Sequence, residues 1–174
     1  MSDQKFIALV VIDMQKGLFK KAIFKEMELL DNINKLIDYF HDKNMKIYFI
    51  RHTNKNILME NSDDWQLHSD LHLQDSDVFI NKEHSSAFKG NTLKDELNKT
   101  GIENIVIVGL VTHGCVKAAC QDANKLGYGV TLIEDAHSSF NKDAESYIVE
   151  WNKKLEQEGI NVIKTNEFLE MGGI

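Results

Sequence analysis

The sequence predicts an α/β fold: a Rossmann-like, doubly wound three-layer sandwich around a six-stranded, mostly parallel sheet. Three observations carry this reading. Six short runs, rich in Val and Ile and nearly continuously apolar, match parallel strands buried on both faces. Helical patterns lie between most of them, and such alternation places helices on both sides of a sheet. The 174 residues are enough for one stable domain, taken as residues 1–174.

The elements follow in order. Met1 to Lys5 leads straight into a first strand, Phe6–Ile12, and Phe19–Met27 reads as a loop or short helical turn. Glu28–Lys43 sets Leu29, Leu30, Ile33, Leu36, Ile37 and Phe40 at helical spacing, with Asn44 as the stop. Lys46–Ile50 is the second strand. The long polar stretch Thr53–Asp77 carries Trp65, His68, Leu71 and His72, and loops of this length serve as lids or oligomer contacts. Val78–Ile80 is the third strand and Lys82–Gly90 is irregular. Asn91–Thr100 is a short helix closed by Gly101, and Asn104–Val108 is the fourth strand. A helix over Gly114–Leu126 ends at Gly127, Val130–Ile133 is the fifth strand, and Asp143–Glu158 is a helix stopped by Gly159. Asn161–Lys164 completes the sheet.

Composition excludes several classes. With 43% hydrophobic and 27% charged residues the chain is globular. A net charge of −7 argues against nucleic acid or an anionic membrane surface as partner. No apolar run reaches the length of a membrane span. Cys115 and Cys120 lie too close along one predicted helix to bridge each other, so a reducing, cytoplasmic setting is expected. The chain has no proline, so any cis peptide bond must be of the non-proline kind.

Open parallel sheets bind ligands beyond the carboxyl ends of their strands. There the sequence places Asp13-Met14-Gln15, then Arg51-His52-Thr53, then Lys82 with His84, Ser85 and Ser86. Val111–Cys115 follows the fourth strand, and Glu134, Asp135 and His137 follow the fifth. Cys115 falls where a strand gives way to a helix, and a helix N-terminus favours thiolate. Lys82 beside it adds to that effect, and Asp13 is placed to move the thiol proton to a departing amine and then activate water. An acid, a lysine and a thiol on one rim form an apparatus for amide hydrolysis. No phosphate-cradling glycine loop follows any strand, which argues against a dinucleotide-binding enzyme. A Cys–His pair drawn from His84, His113 or His137 ranks lower, because no local signature of papain-like enzymes surrounds Cys115.

Val11-Ile12-Asp13-Met14-Gln15, Lys82 followed by Ser86-Ala87-Phe88, and Gly109-Leu110-Val111-Thr112-His113-Gly114-Cys115-Val116 form an ordered set. Ala123, Gly127-Tyr128 and Asp135-Ala136-His137 continue it. On these motifs the chain resembles, over nearly its whole length, the isochorismatase-like cysteine hydrolases, a superfamily that includes nicotinamidase and N-carbamoylsarcosine amidohydrolase. The resemblance implies a catalytic triad of Asp13, Lys82 and Cys115. It also implies a cis bond between Leu110 and Val111, and an oxyanion hole formed by the N–H groups of Val111 and Cys115. Phe19, His52, Phe88, Thr112 and His137 are the candidate substrate contacts.

One departure matters. Nicotinamidases carry an Asp-x-His metal site after the second strand, where this chain has Arg51-His52-Thr53-Asn54, so neither a metal nor another cofactor is expected. The expected activity is that of a metal-independent amidohydrolase, cleaving a small amide or ureido compound through a thioester. The alternatives are vinyl-ether hydrolysis of isochorismatase type and a catalytically silent binding protein on the same fold. The expected partners are a small-molecule substrate and other copies of the chain, as a dimer or tetramer, with no nucleic acid and no membrane.

Overall fold

The computed structural model describes residues 6–173, so the expectation for Met1 to Lys5 lies outside the described residues. The elements run β1 (Ile7–Ile12), α1 (Lys16–Phe19), α2 (Glu26–Asp42), β2 (Lys46–His52), β3 (Val78–Lys82) and α3 (Leu93–Lys99). They continue with β4 (Asn104–Leu110), α4 (Lys117–Lys125), β5 (Gly129–Ser138), α5 (Ala144–Gln157), β6 (Asn161–Ile163) and α6 (Thr165–Glu170). The sheet has the order β3-β2-β1-β4-β5-β6, and every pairing is parallel. Chain direction reverses its progress at β1 and β4, and this switch point is where Asp13 and Cys115 emerge.

All six residues of β1 are buried, because alternate side chains face opposite layers. Ile7, Leu9 and Val11 pack with Leu29, Ile33, Leu36, Ile37 and Phe40 of α2 and with Phe168 of α6. Ala8, Val10 and Ile12 pack on the other side with Leu93 and Leu97 of α3 and Ala119, Cys120 and Ala123 of α4. The rings of Phe40 and Phe168 stack at 6.0 Å, tying α6 to α2.

Several boundaries differ from the sequence reading. The fourth helix does not begin at Gly114: Thr112–Val116 forms a widened turn with Gly114 off helical geometry, and α4 starts at Lys117. The fifth strand does not end at Ile133. It continues to Ser138, with a register shift against β4 between Ile107 and Gly109. The half-buried Glu134 and Asp135 interrupt its apolar run without breaking the backbone. Two short helices, α1 and α6, are additions.

The long segment 53–77 is tied down over the end of β1. Lys16 N donates to Gln66 O at 2.9 Å, Gly17 N to Asp64 O at 2.9 Å and His68 N to Met14 O at 2.8 Å. The buried Gln15 amide donates to Trp65 O and His52 O, while its oxygen accepts from His52 N. Trp65, Leu67 and Leu71 are buried.

Candidate active site

Asp13 follows the last residue of β1 and turns the chain with φ at 51°, a left-handed conformation that Asp tolerates better than most residues. Its N–H donates to Ile50 O at 3.0 Å, which fixes it against β2. Lys82 closes β3 and runs its side chain inward, fully buried. Cys115 sits in the widened turn after β4, half-buried. Three strand ends thus deliver three functional groups to one point.

The geometry there is tight. Lys82 Nζ donates to Asp13 Oδ2 at 3.1 Å and lies 3.2 Å from Cys115 Sγ. It also donates to His84 O at 3.1 Å and meets His52 Nδ1 at 3.0 Å. Since the ammonium can only donate, His52 Nδ1 accepts and the His52 ring is held neutral. Burial, then the Lys82 charge, push the His52 pKa below its ordinary value. Asp13 Oδ1 is buried with no hydrogen-bond partner, leaving an open acceptor in the cluster.

The thiol is not poised as a thiolate, contrary to the sequence expectation. Burial pushes the Cys115 thiol up to about 12, and the Asp13 charge pushes the same way. The Lys82 ammonium pulls back without overcoming them. Cys115 is the first residue past the off-helical Gly114, and the helical run that starts there continues into α4, so it stands at a helix start as expected but burial outweighs that position. At rest the sulfur carries its proton beside an acceptor.

Asp13, His52 and Cys115 each aim one potential ligand atom within 4.8 Å of the others. Lys82 Nζ stands 3.0–3.2 Å from Asp13 Oδ2, His52 Nδ1 and Cys115 Sγ, so a cation seated among those three atoms would compete with the ammonium.

The remaining candidates make contacts of their own. Leu110–Val111 is the cis peptide, as the resemblance implied. Phe19 packs on His68 at 4.4 Å, and Phe88 stacks on Tyr128 at 6.0 Å. Thr112 and His137 are buried and bonded to each other, Thr112 Oγ1 to His137 Nδ1 at 2.8 Å, and His137 Nε2 meets Asn152 Oδ1 at 2.7 Å. With both ring nitrogens engaged, His137 has no polar atom left for a substrate, and the substrate-contact expectation does not fit it. Sequence reasoning placed Gln15 on the rim without assigning it a role, and it missed Asn152. Asn152 sits in a helix with no local signal. A concavity of about 200 Å³, lined by Phe24, Lys25, Ile148, Val149 and Asn152 among others, opens at the end of β5 and includes none of the triad.

Comparison with known proteins gives a consistent picture. Residues 7–167 match the model of the Isochorismatase domain. The uncharacterized isochorismatase family protein YwoC of Bacillus subtilis (strain 168) is 31% identical over 152 residues, covering 78% of this chain and 79% of that protein. Nicotinamidase 3 of Arabidopsis thaliana is 24% identical over 157 residues, covering 81% of this chain and 77% of its own length. A crystal structure of an isochorismatase family protein superposes with a TM-score of 0.88 at 27% identity, covering 92% of this chain and 99% of that one.

Proposed function

Because the chain belongs to the isochorismatase family of hydrolases, we propose that it is a metal-independent cysteine amidohydrolase acting on a small amide or ureido substrate. One observation carries this reading: Lys82 Nζ within 3.1 Å of Asp13 Oδ2 and 3.2 Å of Cys115 Sγ, in a buried cluster. A thiol with a base and a cation at hydrogen-bond range is the arrangement covalent catalysis requires.

The steps follow from the geometry. As the sulfur attacks the substrate carbonyl, its proton passes to the open Oδ1 of Asp13, and Lys82 holds the negative charge that develops on sulfur. Transfer coupled to attack suits a thiol whose resting pKa is high, since free thiolate never has to accumulate. The carbonyl oxygen becomes an oxyanion, and the N–H groups of Val111 and Cys115 are assigned to receive it. The C–N bond then breaks, the amine departs with the proton from Asp13, and a thioester to Cys115 remains. Asp13 next takes a proton from water, the hydroxide oxygen adds to the thioester carbonyl, and the acid product leaves as sulfur regains a proton. A vinyl-ether cleavage would not require the sulfur. Assembly as a dimer or tetramer and a cytoplasmic setting belong to the same proposal.

The test is a screen of small amides and ureides for ammonia release by the purified protein, before and after EDTA treatment. Turnover that survives EDTA and disappears in Cys115→Ala supports the reading. Turnover that survives the loss of the sulfur, or that needs an added metal, overturns it.

A further inference from the structure

We propose that Thr112, His137 and Asn152 form a positioning relay that anchors the turn carrying Cys115. The inference rests on the cysteine reading of the site, and it assigns His137 a role in the reaction other than substrate contact.

The relay has a defined polarity. Asn152 Nδ2 donates to Glu134 O at 3.4 Å, which directs the amide oxygen toward the imidazole. That oxygen can only accept, so Nε2 carries the ring proton and Nδ1 is bare. The Thr112 hydroxyl therefore donates to Nδ1 at 2.8 Å. Burial keeps the ring neutral, its pKa pushed down to about 4, so this polarity holds at neutral pH. Each of the three side chains in the relay is hydrogen-bonded, a condition under which a buried polar network fixes one geometry.

Its placement gives the relay its purpose. Thr112 opens the widened turn, and Val111 O accepts from both Gly114 N at 3.1 Å and Val116 N at 3.2 Å, which closes that turn around Cys115. The start of the turn is then pinned sideways to β5 through His137, and to α5 through Asn152. Without this tie, the loop bearing the nucleophile is held by its own backbone bonds, by packing and by the Lys82 contact to the sulfur. A displacement of about 1 Å at such a loop is enough to cost ~100-fold in rate.

Thr112→Val removes the donor at nearly constant shape, and Thr112→Ser retains it. The experiment compares both variants with the wild-type chain. It reads iodoacetamide alkylation of Cys115 by mass spectrometry and, on an amide the wild type turns over, kcat and KM separately. With the tie cut, Cys115 leaves its half-buried position: alkylation in Thr112→Val should rise about fivefold to tenfold while kcat falls about tenfold to 100-fold, with KM nearly unchanged. Thr112→Ser should restore both. Cys120, buried in α4, reports through its own resistance to alkylation that the fold is intact. Alkylation of Cys115 in Thr112→Val at the wild-type rate, or a serine variant behaving like the valine one, overturns the relay. The alkylation arm needs no substrate, so a relay that responds as expected in a protein that hydrolyses no amide would sink the amidase reading alone.

Discussion

Lys82 has three protons to donate and four acceptors within reach: Asp13 Oδ2, His52 Nδ1, His84 O and Cys115 Sγ. A neutral thiol is the weakest of the four, and a thiolate is among the strongest, so the ammonium redistributes its bonds as charge develops on sulfur. Two substitutions separate the roles. Lys82→Met removes the charge that lowers the Cys115 pKa, so at a fixed pH near 8 alkylation by iodoacetamide should slow further and turnover should be lost. It also strands a buried carboxylate, at a cost of about 3–5 kcal/mol in stability. Asp13→Asn removes a charge that raises the pKa, so alkylation should quicken while turnover still fails for want of a base. Thiol reactivity moving the same way in both variants would contradict the assignment. These three residues were legible because each lies at or just beyond the end of a strand whose apolar run is plain in the sequence. The resting state of the sulfur was not, because burial and the distance to Asp13 exist only once β1 and β4 are neighbours.

At the level of elements, the junction of β1 with β4 bears the site, and Gly109 is what permits it. Gly109 has φ at 123°, and a Cβ there would stand 2.7 Å from Ile12 N and closer still to Ile12 O. Those are backbone atoms of the adjacent strand, which cannot turn aside as a side chain can. Gly109→Ala should therefore push β1 away from β4 just where Asp13 and Leu110 begin. A loss of about 3 kcal/mol or more is expected, seen as a fall of roughly 10 °C in Tm for a chain of this size. A variant that melts with the wild type would show that the strands are free to separate. The same strands explain what sequence reading found and missed. Runs buried on both faces announced themselves, while β5 was cut short because Glu134 and Asp135 look like a loop. Asp135 is in fact bound to other elements: its Oδ1 accepts from Thr165 N at 2.8 Å and Thr165 Oγ1 at 2.7 Å, starting α6. That helix has six residues, too few to show a period.

At the scale of the whole molecule, the long segment 53–77 was foreseen as a lid or oligomer contact without its anchors, because polar residues at irregular spacing do not say what they will touch. Its anchors include backbone groups of Lys16, Gly17 and Met14, which no side-chain pattern records, beside the Gln15 side chain. Nor does the sequence reveal which titratable groups folding will remove from water, and this sets the pH response of the fold. His137 is the clearest case. Burial depresses its pKa from 6.5 to about 4, so the unfolded chain takes up a proton that the native state refuses. Stability from this group is therefore complete above about pH 6.5 and is lost as pH falls toward 4, by about 3 kcal/mol in all. His52, shifted in the same direction by burial and by Lys82, likewise loses its contribution as pH falls below 6.5. Glu134 works the other way: burial raises its pKa, so its contribution falls as pH rises through the carboxylate range. It is a more exposed group, and the two histidines should dominate. Denaturant unfolding followed at pH 7 and at pH 4.5 should show a clearly lower midpoint at the acid value, with most of the change between pH 6.5 and 5. A midpoint flat across that interval would mean that the His137 ring is protonated as readily in the native protein as in the unfolded chain. The buried neutral imidazole, and with it the bare Nδ1 that receives the Thr112 hydroxyl, would then be wrong.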